Sequence, residues 1–442
     1  MTVPARPLAP DAVPLDTDRF HTDPVPLYRE LRHRHGSVVP VLLPSDIPAW
    51  LVIGYREVHR VSGDADTYTR DPARWNQWAS VPADWPLLPL IAPRGASLLH
   101  TVGTAHARRA TVLSDALEAV EPGELRRHAE RIADALVDGF GLDGRADLVA
   151  AYTARLPFLV LAELFGLPAD EAPELGDALR QGMAGGAAAN RARGLLVETM
   201  RRLLTARREE PGADVPSRVL AASPGAGEGE LAETVLAEDL AVLFAAGHLP
   251  TADWLGNTLR LMLTDARYAA SDAGGRFGVE RAMNEVLWRD TPTQTVVGRW
   301  ATRDVRLGPR QVRAGDLLLL GLQGANGDPL VHGTSAPVAT AAALYGLSGL
   351  VSEPDPEPVP EPVAGGPANS AYLSFGHGDR RCPFPAQEIA ETVTRTGAEV
   401  LLDRLPDIEL AVATEELTYR PSSWLRGLDA LPTRFAPVVG RR

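Results

Sequence analysis

Apolar residues recur every three to four positions along most of this chain, the spacing of one buried helical face. That spacing predicts helices over 24–35, 55–62, 104–120, 125–140, 148–165, 170–182, 188–208, 231–264, 277–288 and 386–405. The period changes in two regions. Residues 37–43 and 49–53 are β-rich runs separated by proline and polar residues, the pattern of a hairpin. A second alternating stretch spans 290–329, with a turn at Gly308-Pro309. Residues 211–230 read as a polar linker. EPDPEPVPEPVAGG at 353–366 reads as a low-complexity loop. Residues 1–20 read as an extended arm. The pattern as a whole predicts a mainly α chain with a small β region, one domain over 21–442.

Composition narrows this reading. Of the residues, 45% are hydrophobic and 23% charged, enough to bury a large core. A single cysteine rules out a disulfide framework and fits a reducing compartment. The formal net charge of −13 argues against nucleic acid as a partner. Every basic residue other than histidine is arginine, which reads as a compositional bias. The N-terminus has no apolar signal core, and no run of eighteen apolar residues occurs. The expectation is a cytoplasmic protein with no membrane partner.

The one cysteine is also the strongest chemical signal. A lone cysteine is by default a small buried hydrophobe. Cys382 has unusual neighbours, in SFGHGDRRCPFPAQEIAE at 374–391. Gly376 and Gly378 let the backbone turn and approach a flat ligand. Arg380, Arg381 and the helix start that follows favour thiolate. A thiolate on a tight loop opened by an aromatic, Phe375, suits an axial ligand to haem iron.

This stretch resembles the cysteine loop of the cytochrome P450 family, F-G-x-G-x-[H/R]-x-C-x-G. Phe375, Gly376, Gly378, Arg380 and Cys382 fall on the pattern, and Phe384 stands at the last glycine. The resemblance implies a mainly α cytochrome P450 fold with a small β region around haem b (iron-protoporphyrin IX), ligated by Cys382. It implies haem-carboxylate contacts from His106 and Arg299. The family's arginine four residues after the histidine is Ala110 here, so Arg109 or Arg108 would substitute. A solvated basic helix face and a solvated strand residue are the plain readings of these positions. The family's central A-G-x-[D/E]-T becomes Ala246, Gly247, His248, Leu249 and Pro250, with Thr251 one residue later. Pro250 lacks an N–H, so a kink and a freed Ala246 carbonyl are expected. Gly247 leaves room for dioxygen, and Thr251 and His248 remain as proton carriers. The family's E-x-x-R is Glu285…Trp288, an E-x-x-W form, so Glu285 needs another donor. Ala325-Asn326 and Asp328-Pro329 fit its A-N-x-D-P. By the same analogy 291–297 would line the pocket, and 424–435 would reach back into it.

The function implied is a haem-thiolate oxidase of bacterial specialised metabolism that hydroxylates a small molecule or short peptide. Ferredoxin and ferredoxin reductase are the expected electron donors, docking near Arg380 and Arg381. Trp75, Trp78 and Trp85 either pack beneath a long loop or lie over the haem. In the second case they suit oxidative aryl coupling of aromatic residues in a short peptide or cyclic dipeptide. A third reading is a non-catalytic haem sensor or regulatory protein.

Overall fold

The computed structural model describes residues 11–15, 18–82, 84–91, 98–182, 186–223, 230–269, 276–332 and 370–438. The low-complexity run at 353–366 lies outside them. The architecture follows from one long helix, Glu230–Thr264, of 35 residues and about 52 Å at 1.5 Å per residue. Its composition and length would allow it to cross a membrane. Here it is the core helix, with Leu240, Phe244, Leu255 and Leu259 fully buried in two hydrophobic clusters. The helices Leu156–Leu164, Gly186–Glu209, Arg276–Arg289 and Phe384–Arg404 pack around it.

Strands β1 (Val13–Pro14), β2 (Val38–Leu43), β3 (Ile47–Val52), β4 (Tyr68–Thr69), β6 (Thr295–Ala301) and β9 (Leu317–Gly321) form the main sheet, in the order β1-β2-β3-β9-β6-β4. The expected hairpin is β2–β3, with Val38 opposite Val52. β7 (Val305–Leu307) and β8 (Arg310–Val312) form the second hairpin, turning at Gly308 with φ +53°. A third sheet joins β5 (Arg145–Asp147), β10 (Glu409–Leu410) and β11 (Pro432–Arg434).

Three local expectations change. The arm is extended only in part of its described length: β1 pairs parallel with β2, but a helical turn begins at Arg19, and Leu15 and Phe20 are buried. The linker contains a helix, Val215–Ala221, whose start is capped by the Asp214 carboxylate accepting from the Ser217 N–H at 2.9 Å. The helix expected over 148–165 is split into a π-helical turn, Val149–Thr153, and Leu156–Leu164. Pro157 sits at the start of the second piece, where its missing N–H costs nothing.

β6 is irregular where it matters. Its register on β9 shifts between Val296 and Arg299, and Gly298 has φ +82°. This bulge turns Val297 and Gly298 carbonyls towards Arg70, just past the end of β4.

Candidate active site

A cavity of about 360 Å³ opens between the central helix and the cysteine loop. Ala246, Gly247, Pro250, Thr251 and Trp254 line it from one face of the central helix, as their spacing of i, i+1, i+4, i+5 and i+8 requires. The helix runs through Pro250. Proline has no N–H to donate, so the Ala246 carbonyl lacks its usual helical partner there.

Cys382 closes the opposite side with Phe375, Gly376, Arg380 and Arg381. The loop is pinned by the Cys382 N–H donating to the Phe375 carbonyl at 2.8 Å. Asn326 clamps its base: Nδ2 donates to the Leu287 carbonyl at 2.9 Å and to Ser374 Oγ at 3.0 Å, and Oδ1 accepts from the Leu373 N–H at 2.8 Å. Gly378 does not line the cavity. Its φ is +70°, and a Cβ there would meet the Ser62 carbonyl at 2.6 Å, so it lets the loop press on the helix Tyr55–Gly63. Burial pushes the Cys382 thiol up to about 11. The expected help from Arg380 is absent because that guanidinium turns to the carbonyls of Leu98, Leu99 and Thr101. A bound metal would deprotonate the thiol outright.

Glu285 finds the donors it needs. Its carboxylate accepts from Arg267 Nη2 at 2.8 Å and Tyr268 Oη at 2.9 Å, and pairs with Arg289 at 3.2 Å. Trp288 is fully buried, edge-on to Tyr372. Tyr372 leans on Phe375, and Phe375 on Trp254. An aromatic ladder therefore runs from the helix Arg276–Arg289 to the central helix beneath the cysteine loop.

At one edge of the cavity the side chains are cationic. Arg70, Arg299, Arg380 and His106 all reach it, and His100 lies close enough for its charge to be opposed by the first three. Burial holds Arg380 down to about 10 against the pull of Asp379; burial and the charge of Arg380 hold Arg299 down to about 10; burial and the neighbouring arginines hold His100 and His106 down to about 4. Arg70 is driven down in the same way. Among the described residues none of the three arginines has an ion-pair partner. Arg70 Nε is buried with no hydrogen bond at all. Among the described residues, Asp379 is the one carboxylate on the lining.

Besides Gly378, two expected site residues lie elsewhere. His248 follows Gly247 and is turned about 100° round the helix. Its Nε2 meets the Ala154 carbonyl at 3.0 Å and its ring packs on Phe158, so it is not on the lining. Arg109 is held by Asp239, with Nε donating at 2.8 Å, and by Thr101 at 2.7 Å. The tryptophans also face away. Trp75 and Trp85 are buried against each other, and Trp75 also meets Trp78 and Trp300. None of the four lines the cavity, so the packing reading of this loop stands. Pro292, Thr293 and Val296 line the cavity as expected. The segment 424–435 contacts their strand, where Trp424 accepts from Gln294 and Thr295 N–H groups, without lining the cavity itself.

Arg70 and His100 were not legible as site residues. Arg70 sits in an ordinary run, YTRDPARW, and becomes part of the site only through strand pairing between β4 and β6. The available signal was Ala110: a missing cation on the helix Gly103–Glu118 implies one from elsewhere.

The residues fit haem. A thiol faces an apolar cavity, and the buried guanidiniums of Arg70 and Arg299, with the half-buried Arg380, stand at one edge in position for anionic groups, as the two carboxylates of the porphyrin would supply. No family model matches the chain. Comparison with individual proteins is informative. The chain is 27% identical over 428 residues to vitamin D(3) 25-hydroxylase of Pseudonocardia autotrophica, covering 95% of each. It is 29% identical over 435 residues to biflaviolin synthase CYP158A1 of Streptomyces coelicolor, covering 95% of this chain and 94% of that one. The testosterone-bound structure of CYP154C4 from a Streptomyces species shares the fold, with a TM-score of 0.79, 23% identity, and coverage of 96% and 98%. The chain belongs to the cytochrome P450 family, alongside its bacterial members, and is an oxidoreductase whose cofactor is haem b.

Proposed function

We propose that this enzyme hydroxylates a compact, largely apolar small molecule of bacterial specialised metabolism, in the cytoplasm, with electrons from ferredoxin and ferredoxin reductase. The observation that carries this is the cavity: Cys382 on one side, Thr251 on the other, and walls of Leu113, Leu161, Phe165, Leu243 and Val296. Bound through Cys382, haem b supplies dioxygen activation, the thiolate favouring O–O cleavage.

The chain's own residues do the rest. Cys382 is the iron ligand, and Arg299, Arg380 and His106 hold the haem carboxylates. Gly247 keeps the helix clear of the reacting face; a Cβ there would already meet Leu161 at 3.3 Å. Thr251 Oγ1 is the hydroxyl left to pass a proton, because Leu249 and Pro250 carry none. The leucine-rich walls exclude bulk water and hold substrate by apolar burial.

The relatives' names as enzymes leave no support for a non-catalytic sensor. Oxidative aryl coupling is a second reading, resting on the likeness to a biflaviolin synthase. It draws nothing from Trp75, Trp78 and Trp85.

The test has two stages. The reduced, CO-bound protein should show the red-shifted Soret band of thiolate ligation, lost in Cys382→Ser; an unshifted band, or an unchanged band in the variant, refutes the ligand assignment. Substrates found by spin-state titration are then turned over with a surrogate ferredoxin and reductase. A product heavier by one oxygen supports hydroxylation. A dimer lacking two hydrogens supports coupling instead.

A further inference from the structure

We propose that Arg70 is a haem-carboxylate anchor, held in place by the bulge at Gly298. It supplies the cation that the helix Gly103–Glu118 does not. On that helix Ala110 occupies the lining position one turn after His106. The neighbouring Arg109 is committed to Asp239.

Arg70 has the converse properties. It is only 9% exposed and reaches the cavity. Its Nη1 donates to the Val297 carbonyl and, at 3.2 Å, to the Gly298 carbonyl. These bonds orient the guanidinium without neutralising it. Its Nε is buried and unpartnered. The charged groups that act on it are Arg299 and Arg380, both cations. A guanidinium buried among like charges is costly unless an anion completes the site.

Gly298 is the independent observation. A Cβ at that residue would stand 2.9 Å from Arg70 Nη1 and 3.4 Å from Trp300. The positive φ, the register shift and the missing side chain together open a seat for one guanidinium. A strand that only needed to pair with β9 would have no use for this bulge.

The alternative is that Arg70 merely braces two carbonyls. A chemical cycle separates the two roles. Full-length wild type and Arg70→Gln are each loaded with haem or with haem dimethyl ester, whose carboxylates are neutral. Release to an excess of haem-scavenging apoglobin is followed at the Soret band. Arg70→Gln should release haem roughly ten- to a hundredfold faster than wild type, the scale of a lost hydrogen bond to a charged group. With the ester the two proteins should differ little. An equal ratio for haem and ester overturns the proposal and leaves Arg70 a brace. If Arg70→Gln does not load, Arg70→Lys, which keeps the charge but not the fork, is put through the same comparison. It should release haem faster than wild type and again differ less with the ester; no narrowing overturns the proposal.

Discussion

Replacing Trp288 by arginine would restore the residue type of the family's E-x-x-R pattern, and this fold should reject it. Trp288 is fully buried and edge-on to Tyr372 at 5.8 Å between ring centroids. The charges around Glu285 are already balanced. Two carboxylates, Glu285 and Asp265, face two guanidiniums, Arg267 and Arg289. Both Glu285 oxygens accept hydrogen bonds, one from Arg267 and one from Tyr268. A third guanidinium would bring one unmatched positive charge into a buried site.

The cost can be built from its parts. Truncating a core tryptophan costs about 3–5 kcal/mol, of which the arginine stem recovers a share. Losing the aromatic contact removes about 0.5–1.5 kcal/mol. An unpaired buried ion adds several kcal/mol. The total, about 5 kcal/mol or more, rivals the entire stability of an ordinary domain. The assay is thiolate-ligated haem per mole of purified protein, from the reduced CO spectrum, beside the urea midpoint. Trp288→Arg should be nearly devoid of ligated haem. Trp288→Phe, which keeps an aromatic edge against Tyr372, should retain most of it. Parental haem content and midpoint in Trp288→Arg would refute the reasoning, because they would mean that Glu285 still has charge to give.

Three further outcomes follow from the same geometry. Burial lifts the Asp253 carboxyl to about 6 although Arg420 donates to it at 2.6 and 2.7 Å. A folded pKa raised above the unfolded value of about 3.9 gives stability that is fully present below pH ~4 and lost as pH rises through ~6, roughly 3 kcal/mol over the window. The advantage of wild type over Asp253→Asn in urea unfolding should fall by about that much from pH 4 to 7; a flat difference contradicts it. Thr251→Ala should raise peroxide released per electron pair several-fold, while His248→Phe should change stability and leave coupling alone, and the opposite pattern would reinstate His248 as the proton carrier. Asn326→Ala strands the Leu373 N–H in the core and should cost about 1–3 kcal/mol, seen as a lower urea midpoint and faster haem release.

The cysteine loop was legible because its chemistry is contiguous: Phe375 to Cys382 is eight residues, and the backbone itself brings them together. The need of Glu285 for a new donor was legible for a different reason. A buried carboxylate must be satisfied wherever the chain runs. Which donor would answer was not, since Arg267 and Tyr268 lie in a short connecting helix, Ala266–Ala269, with no pattern to mark it. His248 failed on azimuth. One residue along a helix is a different face, and the kinked-helix reading could not say which way the ring would turn. Arg109 failed by competition, because Asp239 on the central helix claims it first. The thiol failed on the balance of burial against charge. Arg380 is near in sequence, yet its guanidinium is spent on three carbonyls.

These departures share a physical form. At Trp288 the family's guanidinium is gone, and Arg267 with Arg289 meets the same carboxylate from other directions. At Ala110 a guanidinium is again absent, and Arg70 arrives at the same cavity from the sheet. In each case a charge is kept while the element presenting it changes. Electrostatics allows this, since what an anion requires is a cation within a few ångströms, satisfied and shielded from water, and the element that supplies it is immaterial. Packing does not allow it so freely. The exchange at Trp288 needed an aromatic ladder to fill the volume, and the seat of Arg70 needed a residue without a side chain at Gly298. Motif spacing therefore fails first at charged positions of this fold. The marks left behind are packing residues, a tryptophan and a positive-φ glycine, which have no meaning in the motif itself.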